Sequence, residues 1–173
     1  MDSRLKTLQE EVATAIAGFS AEHLNWHPAG KWSAAEVLEH LYLTYTGTIK
    51  GFEKLMQAGK ISVSKPNWRQ RAGHLLVLRF SYMPPGRESP AVARPKGVAT
   101  EKVLAEIEQK ILEMDETIGR AEEKMGSGKL LDHVILGPLT GAEWRKFHLV
   151  HGRHHLQQIR RLREAAKGSS SAR

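Results

Sequence analysis

The sequence predicts an all-α protein, a four-helix bundle with one long crossover connection. Three observations support this fold class. Four long segments carry apolar residues every three or four positions. Two of these segments open with a serine or threonine that is followed three residues later by glutamate. A proline-rich stretch separates the second segment from the third. Of the 173 residues, 40% are hydrophobic and 26% charged, which is typical of one globular domain. We expect this domain to span residues 1–167, followed by a disordered tail at 168–173.

The first two helices follow from their apolar stripes and end signals. In the first helix, apolar residues recur about once per helical turn, at Leu5, Leu8, Val12, Ile16 and Phe19. The second helix opens at WSAAEVLEHL, where Ser33 and Glu36 form a capping box that satisfies free amide groups at the helix start. Gly59 is expected to end this helix.

The third and fourth helices are separated by a glycine-rich break at residues 126–128. The third, TEKVLAEIEQKILEMDETIGRAEEKM, has a regular apolar seam typical of helical bundles. The fourth opens with a second capping box, Thr140 and Glu143, and Gly168 is its expected end. The proline-rich segment 60–99 is expected to cross over the bundle or to cover a site, and its apolar run LLVLRF predicts a short buried helix.

Composition restricts the classes of function. The absence of cysteine excludes disulfides, thiolate metal ligands and cysteine nucleophiles, so that a metal site would consist of His, Asp or Glu. No secretion signal and no apolar run of membrane-spanning length is present, which predicts a cytoplasmic protein without a membrane partner. The net charge of +7 is concentrated near the C-terminus, but no nucleic-acid-reading motif accompanies it, and nucleic-acid binding is the least favoured alternative.

Four histidines lie within eight positions of the last helix, in the stretch FHLVHGRHHLQQI. His148, His151 and His155 share a helix face with Trp144 and Gln158, whereas several arginines lie on the opposite face. The histidines therefore occupy the stripe that should face the core. Burying an imidazole is unfavourable unless each nitrogen finds a partner, and a metal ion is one such partner.

Helical spacing narrows the choice of metal ligands. His151 and His155 are one turn apart and can reach the same ion, and pairs with His148 or His154 at three-residue spacing are allowed as well. His40 on the second helix is the best additional donor. Three neutral imidazoles would leave coordination positions open, as in catalytic sites. A hydrogen-bonded polar core, an exposed cluster and a proton-linked switch are the alternatives.

Groups that could assist catalysis lie on the same two helices. We favour His148 and Gln158 as catalytic residues because they share the face of His151 and His155. Further candidates are His154, Glu36 and Glu39. The four remaining histidines have no partner at a useful spacing and are expected in loops or on the surface: His23, His27, His74 and His133.

Two signatures in this sequence resemble those of the DinB/YfiT-like superfamily. WSAAEVLEHL resembles its tryptophan-serine-x-x-glutamate motif ending in a metal histidine, and VHGRHHLQQI is similar to its second signature, two histidines separated by three residues and followed by glutamine. LNWHPAGKWS and LGPLTGAEWRKFH resemble the usual approaches to these helices. The extra His148 and the long proline-rich segment depart from the simplest pattern.

The resemblance implies a frequently dimeric four-helix bundle that holds one divalent ion, such as zinc or nickel, through His40, His151 and His155. Some members transfer low-molecular-weight thiols such as bacillithiol or mycothiol. The resulting prediction is a metal-dependent enzyme that transfers a thiol or hydrolyses a small-molecule substrate, working as a homodimer. The alternative is a non-enzymatic metal-binding or small-molecule-sensing module.

Overall fold

The computed structural model describes residues 1–84, 86 and 88–170, and it is mostly helical. In chain order its α-helices are α1 Ser3–Ile16, α2 Ala21–Asn25, α3 Ala34–Ala58, α4 Trp68–His74, α5 Thr100–Met125 and α6 Gly141–Ser170. A π-helical turn, Leu75–Arg79, continues α4, and a 3-10 turn spans Ala91–Ala93. Strands β1, Leu131–His133, and β2, Gly137–Leu139, form one small sheet. The four long helices correspond to the four apolar segments of the sequence.

Both predicted capping boxes are confirmed. At the start of α3, Ser33 Oγ accepts from the Glu36 amide at 3.2 Å, and the Glu36 carboxylate accepts from the Ser33 amide at 2.8 Å. At the start of α6, the same pair of contacts joins Thr140 and Glu143 at 3.2 and 2.7 Å. These caps fix where the two histidine-bearing helices begin.

The two predicted helix ends have different outcomes. Gly59 has a left-handed backbone, φ 64°, and closes α3 as expected. Gly168 does not end α6, which continues to Ser170. Because Gly168 is not among the glycines with positive φ, it keeps a helical backbone at a propensity cost of about 1 kcal/mol. The helix therefore extends past its predicted end at Gly168, and residues 171–173 of the predicted tail lie outside the described residues.

The long helices share one core, in which α3 packs on α5 and α1 packs on α6. Helices α3 and α6 run antiparallel, as three ring contacts between them show. Their centroids are 5.8 Å apart for Phe52 and Trp144, 5.5 Å for Tyr45 and His148, and 4.6 Å for His40 and His155. This antiparallel contact brings His40 beside His151 and His155, near the middle of α6.

The crossover between α3 and α5 occupies residues 59–99 and follows the predicted segment closely. Its apolar run is helical, as predicted, but only partly buried: Val77 is 5% exposed, whereas Leu75 and Phe80 are 51% and 63% exposed. Near the C-terminal end of the crossover, three backbone amides donate to the buried Glu39 carboxylate. They belong to Lys96, Gly97 and Val98. These contacts fasten the crossover to α3 next to His40.

The β-hairpin before α6 was not expected from the sequence. Strands β1 and β2 pair antiparallel, with Leu131 opposite Leu139 and His133 opposite Gly137. Gly137 has a φ of 73°, a left-handed backbone conformation that residues with a side chain rarely adopt. Three-residue strands are too short for a period-2 signal, so LDHVILGPL reads as a loop. The hairpin brings His133 against Trp144 and Phe147 of α6.

Candidate metal centre

Three histidines from α3 and α6 converge in the structure. His151 Nε2 lies 3.2 Å from His40 Nε2 and 3.1 Å from His155 Nε2. One ligand atom from each of the three residues lies within 4.8 Å of the other two. All three side chains are buried, with 2 to 8% of their surface exposed. The structure thus brings together the three residues that the resemblance assigned to a metal.

The proton positions of two of these rings follow from their outer contacts. His40 Nδ1 lies 2.7 Å from the carbonyl oxygen of Ala93, which can only accept, so that Nδ1 carries the proton. His155 Nδ1 lies 2.9 Å from Gln158 Oε1 and donates to it in the same way. The Nε2 lone pairs of both rings consequently point toward His151 Nε2. Metal-binding histidines are typically oriented by such outer acceptors.

Two of the three nitrogen–nitrogen separations are close to those of a metal site, and the third is within 4.8 Å. Zinc–nitrogen bonds of 2.0–2.1 Å in a tetrahedron place the nitrogens about 3.3–3.4 Å apart. The two Nε2 separations here, 3.1 and 3.2 Å, are close to that edge length. Without a metal, a single proton on His151 Nε2 would have to serve the Nε2 lone pairs of both His40 and His155. The donor set therefore fits a divalent ion bound by three neutral imidazoles.

Burial keeps these imidazoles neutral. Desolvation lowers the pKa of His40, although its bond to the Ala93 carbonyl partly opposes the shift. Desolvation and the neighbouring histidines hold the pKa of His151 well below its usual range, and the same causes lower the pKa of His155 to about 3. Neutral imidazole is the form that binds metal, so that ordinary changes near pH 7 do not protonate the cluster.

His148 lies behind the cluster. It is fully buried, and its Nε2 lies 3.0 Å from Thr48 Oγ1, whose own proton goes to the Thr44 carbonyl. Within the described residues, His148 Nδ1, His151 Nδ1 and Tyr45 Oη are buried without a hydrogen-bond partner. Desolvation lowers the pKa of His148 to about 3. His148 does not line the cavity described below.

Gln158 connects the cluster to a fourth histidine of α6. Its Oε1 accepts from His155 Nδ1, and its Nε2 lies 3.0 Å from His154 Nε2, to which it donates. Both Gln158 and His154 line the cavity. Glu36 is engaged in the α3 capping box and Glu39 in the crossover contacts, so both carboxylates already have structural partners.

Two histidines outside the cluster have partners that sequence spacing did not reveal. His74 Nε2 lies 3.0 Å from a Glu143 carboxylate oxygen, which connects α4 to the start of α6. His133 Nδ1 accepts from the amides of Ile135 and Leu136, and burial lowers its pKa to about 4. Sequence spacing offered no partner for either histidine, because the partners come from an element distant in sequence or from an unpredicted turn.

A cavity of about 1410 Å³ adjoins the cluster. His40, His151 and His155 form part of its wall, together with α3, α6, the hairpin and the crossover. Ligand pockets commonly measure about 300–1,000 Å³, so that a small molecule fits with room for water. A ligand in this cavity can reach the three histidines from one side.

Several arginines on α6 are committed to contacts within the protein. Arg145 bonds to Asp115 and Glu122 at 2.6 Å, and Arg153 bonds to Glu11 at 2.7 Å. Arg163 lies over the Phe19 ring, 4.7 Å from its centroid. These three cations stabilise packing of α6 on α1, on α5 and on the segment that follows α1, instead of forming a continuous free basic face.

Fold and site together define a mostly helical protein with a buried three-histidine cluster that could hold a metal ion. No helix in the described part of the chain is long and apolar enough to cross a bilayer. The profile of DUF1569, a family described as proteins of unknown function, matches residues 3–162, and the chain belongs to that family. No curated protein and no solved structure gives a significant match.

Proposed function

We propose that this protein is a metal-dependent enzyme with the four-helix bundle of the DinB/YfiT-like superfamily, holding one divalent ion through His40, His151 and His155. The observation that carries the proposal is the convergence of three buried imidazoles in the wall of a large cavity. Zinc and nickel are the expected ions, since imidazole ligands suit both.

When bound, a divalent ion with open positions supplies Lewis-acid chemistry, lowering the pKa of bound water to about 7 or favouring the thiolate form of a thiol. Three neutral ligands leave the full charge of the ion available for such a substrate group. The reaction class that follows is transfer of a low-molecular-weight thiol to an electrophile, with hydrolysis of a small substrate as the alternative.

The residues of the chain have separate roles in this scheme. Ala93 and Gln158 orient His40 and His155 through their Nδ1 protons. Gln158 and His154 line the cavity, and we assign them to contact with a bound substrate. His148 lies outside the cavity wall, so that the arrangement favours Gln158 over His148 for contact with substrate. Residues of the crossover, among them Val92 and Ala93, form part of the cavity wall beside the three histidines.

Cobalt substitution tests the proposed site and its open positions together. Protein loaded with Co²⁺ should acquire a sulfur-to-metal charge-transfer band when 2-mercaptoethanol is added, and His151→Ala should not. His154→Ala is the matched control, because His154 lines the same cavity but is not one of the three converging residues. Failure of the wild type to bind Co²⁺ would contradict the metal site.

Turnover separates an enzyme from a sensing module. Reaction of 2-mercaptoethanol with iodoacetamide should be faster with metal-loaded wild type than with His151→Ala. A charge-transfer band without any rate difference would favour the non-enzymatic binding module instead. Screening of ester and amide substrates then addresses the hydrolytic alternative.

Homodimer formation and a cytoplasmic location also belong to the proposal. Three aromatic side chains on the crossover support a dimer, because Trp68, Phe80 and Tyr82 are 53 to 73% exposed. Sedimentation velocity at two protein concentrations should give the mass of two chains. A single-chain mass at both concentrations would contradict the dimer.

A further inference from the structure

We propose that the substrate is an anionic amphiphile, a small carboxylate with an alkyl or aryl tail that occupies the cavity beside the three histidines. This rests on the proposed function in one respect, since the carboxylate is placed next to the metal-holding cluster. Three features of the cavity carry the inference: its apolar wall, an unfilled glycine position on α3 and its excess of positive charge.

The first feature is apolar surface inside a concave site. Val92 on the 3-10 turn and Val134 in the hairpin both line the cavity, and each is 76% exposed. Leu43 and Met83 line it as well and are only partly buried. Exposed apolar side chains within a cavity typically mark a binding site for an apolar group.

The polar groups in this part of the wall are already satisfied. Thr44 Oγ1 donates to the His40 carbonyl at 2.8 Å, and Thr48 Oγ1 donates to the Thr44 carbonyl at 3.1 Å. Both hydroxyls are thereby turned back to their own helix. An alkyl tail can lie against these residues without leaving a buried donor unpaired.

The second feature is Gly47 in the middle of α3. A Cβ built at Gly47 would meet no atom within 4 Å, so that packing does not explain the missing side chain. Glycine inside a helix costs about 1 kcal/mol relative to alanine. By contrast, a Cβ at Gly51, one turn further on, would lie 2.9 Å from Leu131. Gly47 leaves the cavity open where a tail would pass.

Gly47 is also at a suitable distance from the cluster. His40, Thr44 and Gly47 share one face of α3 and all line the cavity. His40 and Gly47 are seven residues apart, about 10 Å along the helix axis. A carboxylate at the histidines would therefore extend a medium-length alkyl tail across Gly47.

The third feature is charge. Lys31 and Arg161 line the cavity, and neither forms an ion pair with a described residue. Among the described residues of the wall, Glu88 pairs with Arg94 at 2.8 Å, whereas Asp132 keeps its charge and accepts from the Ser64 amide at 3.0 Å. Lys31 and Arg161 therefore outnumber the one carboxylate that has no cation partner. This excess of positive charge, to which a divalent ion would add, favours an anionic head group over a neutral or cationic one.

Isothermal titration calorimetry with three simple probes tests this class of ligand. On metal-loaded wild type, octanoate should bind at least tenfold more tightly than butyrate, because each buried methylene contributes about fourfold in affinity. Octylammonium, which has the same tail and the opposite charge, should bind at least tenfold more weakly than octanoate. Equal affinities for octanoate and either other probe would overturn the proposal.

Variants then locate the tail and the head group. Gly47→Phe should weaken octanoate binding at least tenfold and leave butyrate binding unchanged, whereas Gly47→Ala, the matched control, should change neither. Arg161→Gln should weaken octanoate and butyrate by the same factor. An unchanged octanoate affinity in a folded Gly47→Phe protein would contradict the assigned tail position, and the probe series on wild type remains decisive if that variant does not fold.

Metal content, measured on the same samples, distinguishes failure of this inference from failure of the proposed function. Loss of the preference for octanoate in protein that holds one ion per chain would reject the amphiphile alone. Protein that cannot hold an ion but still prefers octanoate over butyrate and octylammonium would reject the metal enzyme and retain the ligand class.

Discussion

At the scale of single residues, the imidazole of His148 shows how burial and hydrogen bonding together set protonation. The ring is fully buried between Tyr45, Trp144 and Phe147, and among the described residues its one polar partner is the Thr48 hydroxyl. Desolvation accounts for most of the lowering of its pKa to about 3. Since the protonated ring would have no buried anion beside it among these contacts, folding selects the neutral form.

This low pKa predicts an acid-dependent loss of stability in metal-free protein. The unfolded chain binds a proton at His148 near pH 6.5, whereas the folded protein does not until about pH 3. Stability therefore falls as the pH drops through this window. In His148→Gln, which can still donate to Thr48, the loss between about pH 6 and 5 should be smaller by about 1 kcal/mol.

Urea unfolding with chelator present, repeated at each pH, measures this difference. His27→Gln, a substitution at an exposed position, controls for removal of a histidine as such. If His148→Gln and wild type lost equal stability between the two pH values, His148 would be accessible to protons in the folded protein, contrary to its burial.

At the scale of elements, one carboxylate fastens the crossover to α3. Glu39 is 4% exposed and accepts from three consecutive amides, with the shortest contact 2.6 Å to Lys96 N. Its neighbour His40 donates to Ala93 in the same segment. Glu39 thus holds in place the crossover segment whose Ala93 carbonyl orients the neighbouring His40.

Replacing this carboxylate should loosen the crossover. Glu39→Gln removes the negative charge and turns an amide toward backbone donors, and we expect a loss of about 2–4 kcal/mol in unfolding free energy. Hydrogen exchange at the amides of residues 96–98 should become faster. Glu53→Gln, on the same helix but without such contacts, should change neither the unfolding free energy nor the exchange rates. Unchanged exchange at residues 96–98 in Glu39→Gln would contradict the role of Glu39 in fastening the crossover.

The contact of α1 with α6 depends on a close approach at Gly152. A Cβ at this buried position would lie 2.3 Å from Leu8 Cδ1, and Leu8 is itself fully buried. Gly152→Ala should therefore destabilise the protein by about 1–3 kcal/mol, although alanine is the better helix former. Gly119→Ala in α5, whose Cβ would meet only Arg145 Nη2 at 3.7 Å, is the matched control.

Thermal or urea unfolding compares these two glycine variants with the wild type. Gly119→Ala should be neutral or stabilising by up to about 1 kcal/mol, as expected for an unobstructed helix position. Equal stabilisation by Gly152→Ala would mean that α1 shifts away easily and that the two helices are not tightly packed at this point.

At the scale of the whole molecule, the parts of the fold that could be predicted from the sequence are those with a periodic or local signal. The long helices, both capping boxes and the extent of the crossover follow from apolar spacing and end residues, and the structure confirms them. The convergence of His40 with His151 and His155 follows from helix faces and from the resemblance. Their role as metal ligands stays a prediction.

The features that sequence missed depend on contacts distant in the chain. The hairpin at residues 131–139 is too short for a periodic signal. His133 and His74 have partners set by that hairpin and by the docking of α4, which no spacing rule encodes. The last helix passes Gly168 because the glycine keeps a helical backbone there. The cavity likewise arises from assembly of all these elements.

Metal content per chain shows whether His40, His151 and His155 hold an ion. Untagged protein, purified without a metal column, is measured by elemental mass spectrometry beside His151→Ala and the control His154→Ala. If the three histidines bind a metal, we expect about one divalent ion per chain in wild type and His154→Ala, and none in His151→Ala. No ion in wild type, together with an unchanged melting temperature on addition of zinc, would contradict it and leave the three histidines as a polar core.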